Sequence, residues 1–220
     1  MSLQGQDRYL RTLYKDIEVF AGIGSANYFG DIGGKDSHIS GIQAVFDKQD
    51  IDLWQTRPMG TVGVRISPYK KLAFVLQLSP IFLSGNDERS DYIERGYAFT
   101  TSILEADLHA EYYFVGRNAG FDPYVLGGLG GMAYSFKNNV TNKRSKWYAG
   151  NSIILGIGTR LPSRSQIAHS LDAGFHFGTT DFLDGYRTPR NNKDLFFLLT
   201  YKINFRLYSA FYYDHKGLIR

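Results

Sequence analysis

Residues 103–114, ILEADLHAEYYF, divide cleanly by parity. Leu104, Ala106, Leu108, Ala110, Tyr112 and Phe114 form one set, and Ile103, Glu105, Asp107, His109, Glu111 and Tyr113 form the other. A period of two is the repeat of a β-strand, whose successive side chains point to opposite faces. The same division recurs along the chain, and helical periodicity is nearly missing. It predicts about eight strands, near 16–29, 59–68, 71–84, 100–115, 122–136, 150–162, 166–179 and 194–206.

The connections narrow the choice of fold. The second and third strands meet through SPYKK, the fourth and fifth through VGRNAG, and the sixth and seventh through PSRSQ. Between these tight polar turns lie long stretches, including SGNDERSDYIERGYAF and KNNVTNKRSKWYA. Short and long alternate throughout. In an up-and-down meander this gathers every short turn at one end and every long loop at the other, the asymmetry of outer-membrane barrels. A soluble sandwich has no reason to sort its loops so consistently. The expected fold is therefore all-β, an antiparallel up-and-down transmembrane barrel of about eight strands, with short periplasmic turns and long extracellular loops. Residues 16–206 form the barrel, 1–15 a periplasmic N-terminal segment and 207–220 a periplasmic C-terminal tail.

Which face looks inward follows from residue size. One face carries large apolar groups, such as Val62, Val64 and Ile66, or Phe197, Leu199 and Tyr201. The opposite face sets charges beside glycines, as in Gly156, Gly158 and Arg160. Glycines serve little purpose on a wet outer surface. Inside a narrow barrel they leave room for long polar side chains, and the apolar face then meets lipid. The expected lumen network is Glu18, Arg65, Glu105, Asp107, His109, Glu111, Arg160, Asp172, His176 and Lys202. Buried charges of both signs must cross-pair, because an unpaired charge away from water is costly. His109 and His176 are expected to come near each other. Tyr69, Tyr112, Tyr113, Phe114, Phe121 and Tyr124 at the short-turn end, with Trp147 and Tyr148 at the other, suggest interfacial girdles.

Bulk properties agree without deciding. No apolar run approaches the ~18 residues of a spanning helix, and the start, MSLQGQDRYL, lacks a basic region followed by an apolar core. A formal charge of +4, scattered along the chain, gives no reason to expect nucleic acid. Cysteine is absent, which removes disulfides and thiolate metal sites. The stretch GLGGMA, 128–133, has the spacing of a dinucleotide loop but no helical stripe follows it. Its glycines are better read as space for a neighbour's interior charges. Thr179, Thr180, Asp181 and Asp184 sit near the rim without a Ser–His pair, so neither catalysis nor a cofactor or metal is expected. The basic stretch 137–146 faces either solvent or phosphate-rich lipid.

Several segments together resemble the PorG-like family of small Bacteroidetes outer-membrane barrels, a component of the type IX secretion system. They are VFAGIGSANYFGDI, RPMGTVGVRISPYKKLAFVLQLS, DPYVLGGLGGMAYS, TTDFLDGYR and NNKDLFFLLTYKINF, with NYFGD at 27–31 and TDFLD at 180–184 the most specific. The likeness runs over nearly the whole chain, although the basic loop at 137–146 is shorter than the family's usual insert.

The resemblance implies a non-enzymatic barrel in the bacterial outer membrane, with both termini in the periplasm. It would dock a periplasmic ring of PorK- and PorN-like proteins, with outer-membrane lipids as its other partners and no small-molecule substrate. Lys70, Lys71, Arg117 and Arg164 in the short turns, and Tyr208, Phe211, Tyr212 and Tyr213 in the tail, are then the candidate partner-binding residues. A soluble lipocalin-like ligand-binding barrel, and an outer-membrane barrel of unrelated envelope function, stay open as alternatives.

Overall fold

The computed structural model describes residues 16–29, 55–69, 71–87, 94, 96–115, 121–140, 142–161, 166–180, 182–186 and 194–209, with the side chains of 16, 208 and 209 excepted. Eight strands account for nearly all of them: β1 (Asp16–Phe29), β2 (Arg57–Tyr69), β3 (Leu72–Asn86), β4 (Ala98–Tyr113), β5 (Asp122–Asn138), β6 (Tyr148–Leu161), β7 (Ile167–Gly178) and β8 (Leu195–Ser209). They follow the expected positions to within a few residues. The main departures lengthen strands, with β8 running on to Ser209.

Each strand pairs antiparallel with the next, and β1 pairs with β8 from Asp16–Ser209 to Phe29–Leu195, closing the barrel. Closure leaves no unpaired edge of backbone donors and acceptors, a requirement in hydrocarbon as much as a protection against aggregation. An even number of antiparallel strands brings the start of β1 and the end of β8 to the same end as the three short turns.

Through most of the barrel's height the wall is inside out. Leu76, Leu78, Leu104, Leu108, Leu129, Ile153, Leu155 and Ile157 are exposed on the outer face, while Glu18, Arg65, Glu105 and Glu111 have no accessible surface. The outward apolar stripe of β4 runs from Leu104 to Tyr112. At about 3.3 Å per residue and a tilt of about 40° that is roughly 20 Å of depth, most of the ~25 Å apolar band of a transmembrane barrel. A lipocalin-like interior would hold the apolar set instead, so the soluble alternative does not fit this wall.

Near the long loops the order reverses. Moving toward that end, the outward face passes from Ile23 to Ser25 on β1, from Leu104 to Ser102 on β4, from Leu129 to Lys137 on β5 and from Ile153 to Asn151 on β6. At the same levels the inward face turns apolar. Ala26, Tyr28, Met59, Ile81, Leu83, Phe99, Ile103, Met132, Tyr134, Phe136, Phe196 and Leu198 pack into one buried cluster, joined by Leu183 from the β7–β8 loop. The sequence reading, which lined the interior with charges beside glycines, did not foresee this apolar tier. Beyond the hydrocarbon the outer wall is wet, and apolar groups gain by turning inward as in any soluble protein.

Interior glycines make the remaining space. A Cβ on Gly158 would lie 2.4 Å from the Tyr124 ring, and one on Gly130 would lie 2.8 Å from Glu105 Oε1.

Candidate functional site

Among the described residues the lumen gathers the buried titratable groups, and the strand registers bring them together. Glu18 on β1 is the register partner of Arg65 on β2 and of Arg206 on β8. On β4, the inward positions 105, 107, 109 and 111 stack a carboxylate, a carboxylate, an imidazole and a carboxylate along a single strand. All ten residues of the expected network are buried, the most accessible being Asp172 at 6%.

The cluster nearer the short turns centres on two arginines. Arg65 donates from Nε and Nη2 to the two oxygens of Glu111, at 2.9 and 2.8 Å, a bidentate pair. Its Nη1 donates to Asn204 Oδ1 at 2.6 Å and lies 3.4 Å from Glu18 Oε2. Glu18 in turn accepts both ends of Arg160, at 2.8 and 2.5 Å, and Arg206 Nε at 3.3 Å. Tyr113 donates to Glu111 at 2.6 Å. Beside them Lys202 pairs with Asp172 at 2.6 Å and donates to Gln77 Oε1 at 2.9 Å, and Tyr124 donates to the other oxygen of Asp172. The Phe20 ring lies between the cations, 5.6 Å from the Arg65 guanidinium and 4.7 Å from Lys202 Nζ.

A second tier lies toward the long loops. Glu105 accepts from Ser152 Oγ at 2.5 Å and pairs with His176 Nδ1 at 2.9 Å. Asp107 pairs with His109 Nδ1 at 2.7 Å. Each histidine thus engages its own carboxylate on β4: His109 meets Asp107 two positions along the same strand, and His176 reaches Glu105 from β7. His176 stacks on Phe196, at the floor of the apolar cluster.

Above that cluster, Tyr28 donates to Asp194, whose other oxygen accepts the Leu183 backbone N–H at 2.7 Å. Thr101 Oγ1 donates to Leu183 O at 2.5 Å. These bonds hold Leu183 over the barrel mouth. Asp184 accepts the Tyr186 backbone N–H at 2.9 Å, a local bond that shapes the loop entry. Burial pushes the Tyr186 phenol above its usual range, and it donates to Asn139 Oδ1 at 2.7 Å.

Sequence reasoning missed several members. Tyr113 and Tyr124 are not girdle residues: both are fully inward and tilt against each other at 4.8 Å. Tyr148 stacks on the interior-face rings Tyr134 and Phe136. Their inward parity was the available signal, and aromatic type concealed it. Tyr69, Tyr112, Phe114, Phe121 and Trp147 are exposed. Gln77, Ser152 and Asn204 gave no sign beyond parity.

Of the expected partner-binding residues, Lys71 is exposed at the β2–β3 turn. Tyr208 lies in β8 with its side chain outside the described residues, as are Lys70, Arg117, Arg164, Phe211, Tyr212 and Tyr213.

Chemically the lumen is a densely paired network, although Asp107 Oδ2 and His109 Nε2 are buried there without a hydrogen-bond partner. Ser152 donates to a carboxylate, not to an imidazole that would activate it. Among the described residues no group of three His, Cys, Asp or Glu side chains is arranged to hold a metal. A water column along the axis would leave Arg65, Glu18, Glu105 and Glu111 accessible, and their exposure is 0%.

No protein-family model and no curated protein matches the chain. Among solved structures it is similar to the outer membrane protein OprG from Pseudomonas aeruginosa, with TM-score 0.51 and 11% identity over 89% of this chain and 97% of that one. It is also similar to the N-terminal β-barrel domain of Pseudomonas aeruginosa OprF, with TM-score 0.49 and 12% identity over 87% of this chain and 98% of that one. A third is a major outer membrane protein from Thermus thermophilus, with TM-score 0.48 and 13% identity over 86% of this chain and 99% of that one. The likeness to OprG is one of fold, that of the small closed outer-membrane barrels.

Proposed function

We propose that this chain is a non-enzymatic outer-membrane barrel that anchors a periplasmic ring of the type IX secretion machinery, with both termini and the short turns in the periplasm. The observation that carries a structural rather than a transport role is the filled lumen: Arg65, bound to Glu111, Asn204 and Glu18, stands where a channel would run. The apolar outer belt supports a membrane location. The sequence resemblance to PorG-like barrels supports the choice of machine. The exposed turn residue Lys71, with Lys70, Arg117 and Arg164, would offer a basic collar to an acidic surface of PorK- and PorN-like proteins, and Tyr208, Phe211, Tyr212 and Tyr213 would supply its apolar anchors.

The test is co-purification from native membranes. Reversing charge at Lys70, Lys71 and Arg117 should reduce capture of the ring proteins while the heat-modifiable gel shift of the folded barrel stays intact. Undiminished capture, or loss of capture on shortening the long loops instead, would remove the docking assignment and leave an envelope barrel of different function.

A further inference from the structure

From residue 123 to residue 171 the chain contains no aspartate or glutamate, yet Lys137, Lys143, Arg144 and Lys146 fall within ten residues of one another there. All four are exposed. Among the described residues no carboxylate forms an ion pair with any of them. An unbalanced group of cations at one place on a barrel is a binding surface for anions.

The cations are held by a built hairpin. Lys137 and Arg144 are bridge partners, so they project from the same face. Ser145 N donates to Phe136 O at 2.8 Å, Phe136 N donates to Ser145 Oγ at 3.0 Å, and Asn142 N donates to Asn138 O at 3.0 Å. Arg144 lies along the outer wall, donating from Nη2 to Ser102 Oγ at 2.7 Å. Ser102 is the outward residue directly above Leu104, where the apolar stripe of β4 gives way to polar residues. Trp147, 62% exposed, sits one residue before β6, and tryptophan favours the headgroup level. The cations therefore stand at the edge of the hydrocarbon, where lipid phosphates lie.

We propose that the β5–β6 hairpin is a clamp for the phosphates of an anionic glycolipid headgroup in the leaflet at the long-loop end, a diphosphorylated lipid A in the outer membrane. This rests on the outer-membrane reading above. A soluble acidic protein would not require the cations to sit at the lipid edge, and Lys137 and Arg144 sharing one face against the wall suit a headgroup already lying in the leaflet.

The test compares the full chain, folded in detergent micelles, with a Lys137→Gln, Lys143→Gln, Arg144→Gln, Lys146→Gln variant. Binding of diphosphorylated and enzymatically dephosphorylated lipid A is measured by native mass spectrometry. The wild-type chain should prefer the phosphorylated form by about tenfold, less at high salt, and the variant should show no preference. Should the quadruple variant fail to fold, Lys143→Gln with Lys146→Gln, which breaks no described hydrogen bond, should lose part of the preference. Equal binding of the two lipids by the wild type, or a preference kept by a folded variant, overturns the clamp. So does soluble polyphosphate binding as tightly as the phosphorylated lipid. If the wild-type chain shows no heat-modifiable shift in any lipid or detergent, the membrane reading itself fails, which is a separate result.

Discussion

The two halves of the lumen solve one packing problem in opposite ways. Near the short turns the barrel is filled by Arg65, Arg160 and Lys202 paired with Glu18, Glu111 and Asp172. Near the long loops it is filled by Phe99, Phe136, Phe196 and Leu183, with buried Asp184 and Asp194 beside them instead of ion-paired cations. On β1, β4, β5 and β6 the outer wall changes in step, apolar around the ion pairs and polar around the aromatics, while Phe82 on β3 and Leu199 on β8 extend the apolar belt to the same level. The solvent outside explains both. Where hydrocarbon surrounds the wall, an apolar side chain gains nothing by turning inward, and a polar one has nowhere else to go. Where water surrounds the wall, the hydrophobic effect drives apolar groups in again. The lumen therefore records the membrane boundary from the inside.

The sharpest way to break this comparison is to remove Arg65. Arg65→Ala leaves Glu111 buried with its bidentate partner gone, while Glu18 keeps Arg160, and should cost about 3–5 kcal/mol. Urea titration in micelles, read by heat-modifiable mobility, measures it. A paired Arg65→Met, Glu111→Leu variant should recover much of the loss, since an apolar pair leaves no orphaned charge. Phe196→Ala probes the other half. It empties a fully buried ring site and should cost about 3 kcal/mol, with no rescue from any charge change. If Phe196→Ala were neutral, the upper cluster would not be a core.

Smaller effects locate the boundary. Leu108→Lys, in the middle of the outward stripe, should cost roughly 2–4 kcal/mol, whereas Asn151→Lys, beyond the change in polarity, should cost about 0–1 kcal/mol. Similar costs at both positions would erase the proposed boundary. A further modest effect is that of Gly158→Ala. Its methyl would press on the Tyr124 ring, and the ring's shift should cost about 1–2 kcal/mol. Tyr124→Phe in the same background should not relieve the clash, because the ring atoms remain.

The strands, their parity and the sorting of turns from loops were legible in the sequence because each is local. A period of two survives in any register, as ILEADLHAEYYF shows. The candidate lumen residues followed from parity as well, since a strand has only two faces. Their partners were not legible. Glu18 and Arg160 stand 142 positions apart, and only closure of β1 on β8 sets them on facing walls. The assignment of Tyr113 to a girdle failed because residue type was allowed to outweigh parity.

The sequence by itself determined that this chain is a barrel of alternating strands with its charges on one face, since alternation and turn length need no knowledge of distant contacts. Only the tertiary structure decided which acid meets which base, that each histidine takes a carboxylate of its own, and that the loop end carries an apolar core. Those depend on stagger between strands and on a loop returning over the mouth, and neither leaves a period in the chain.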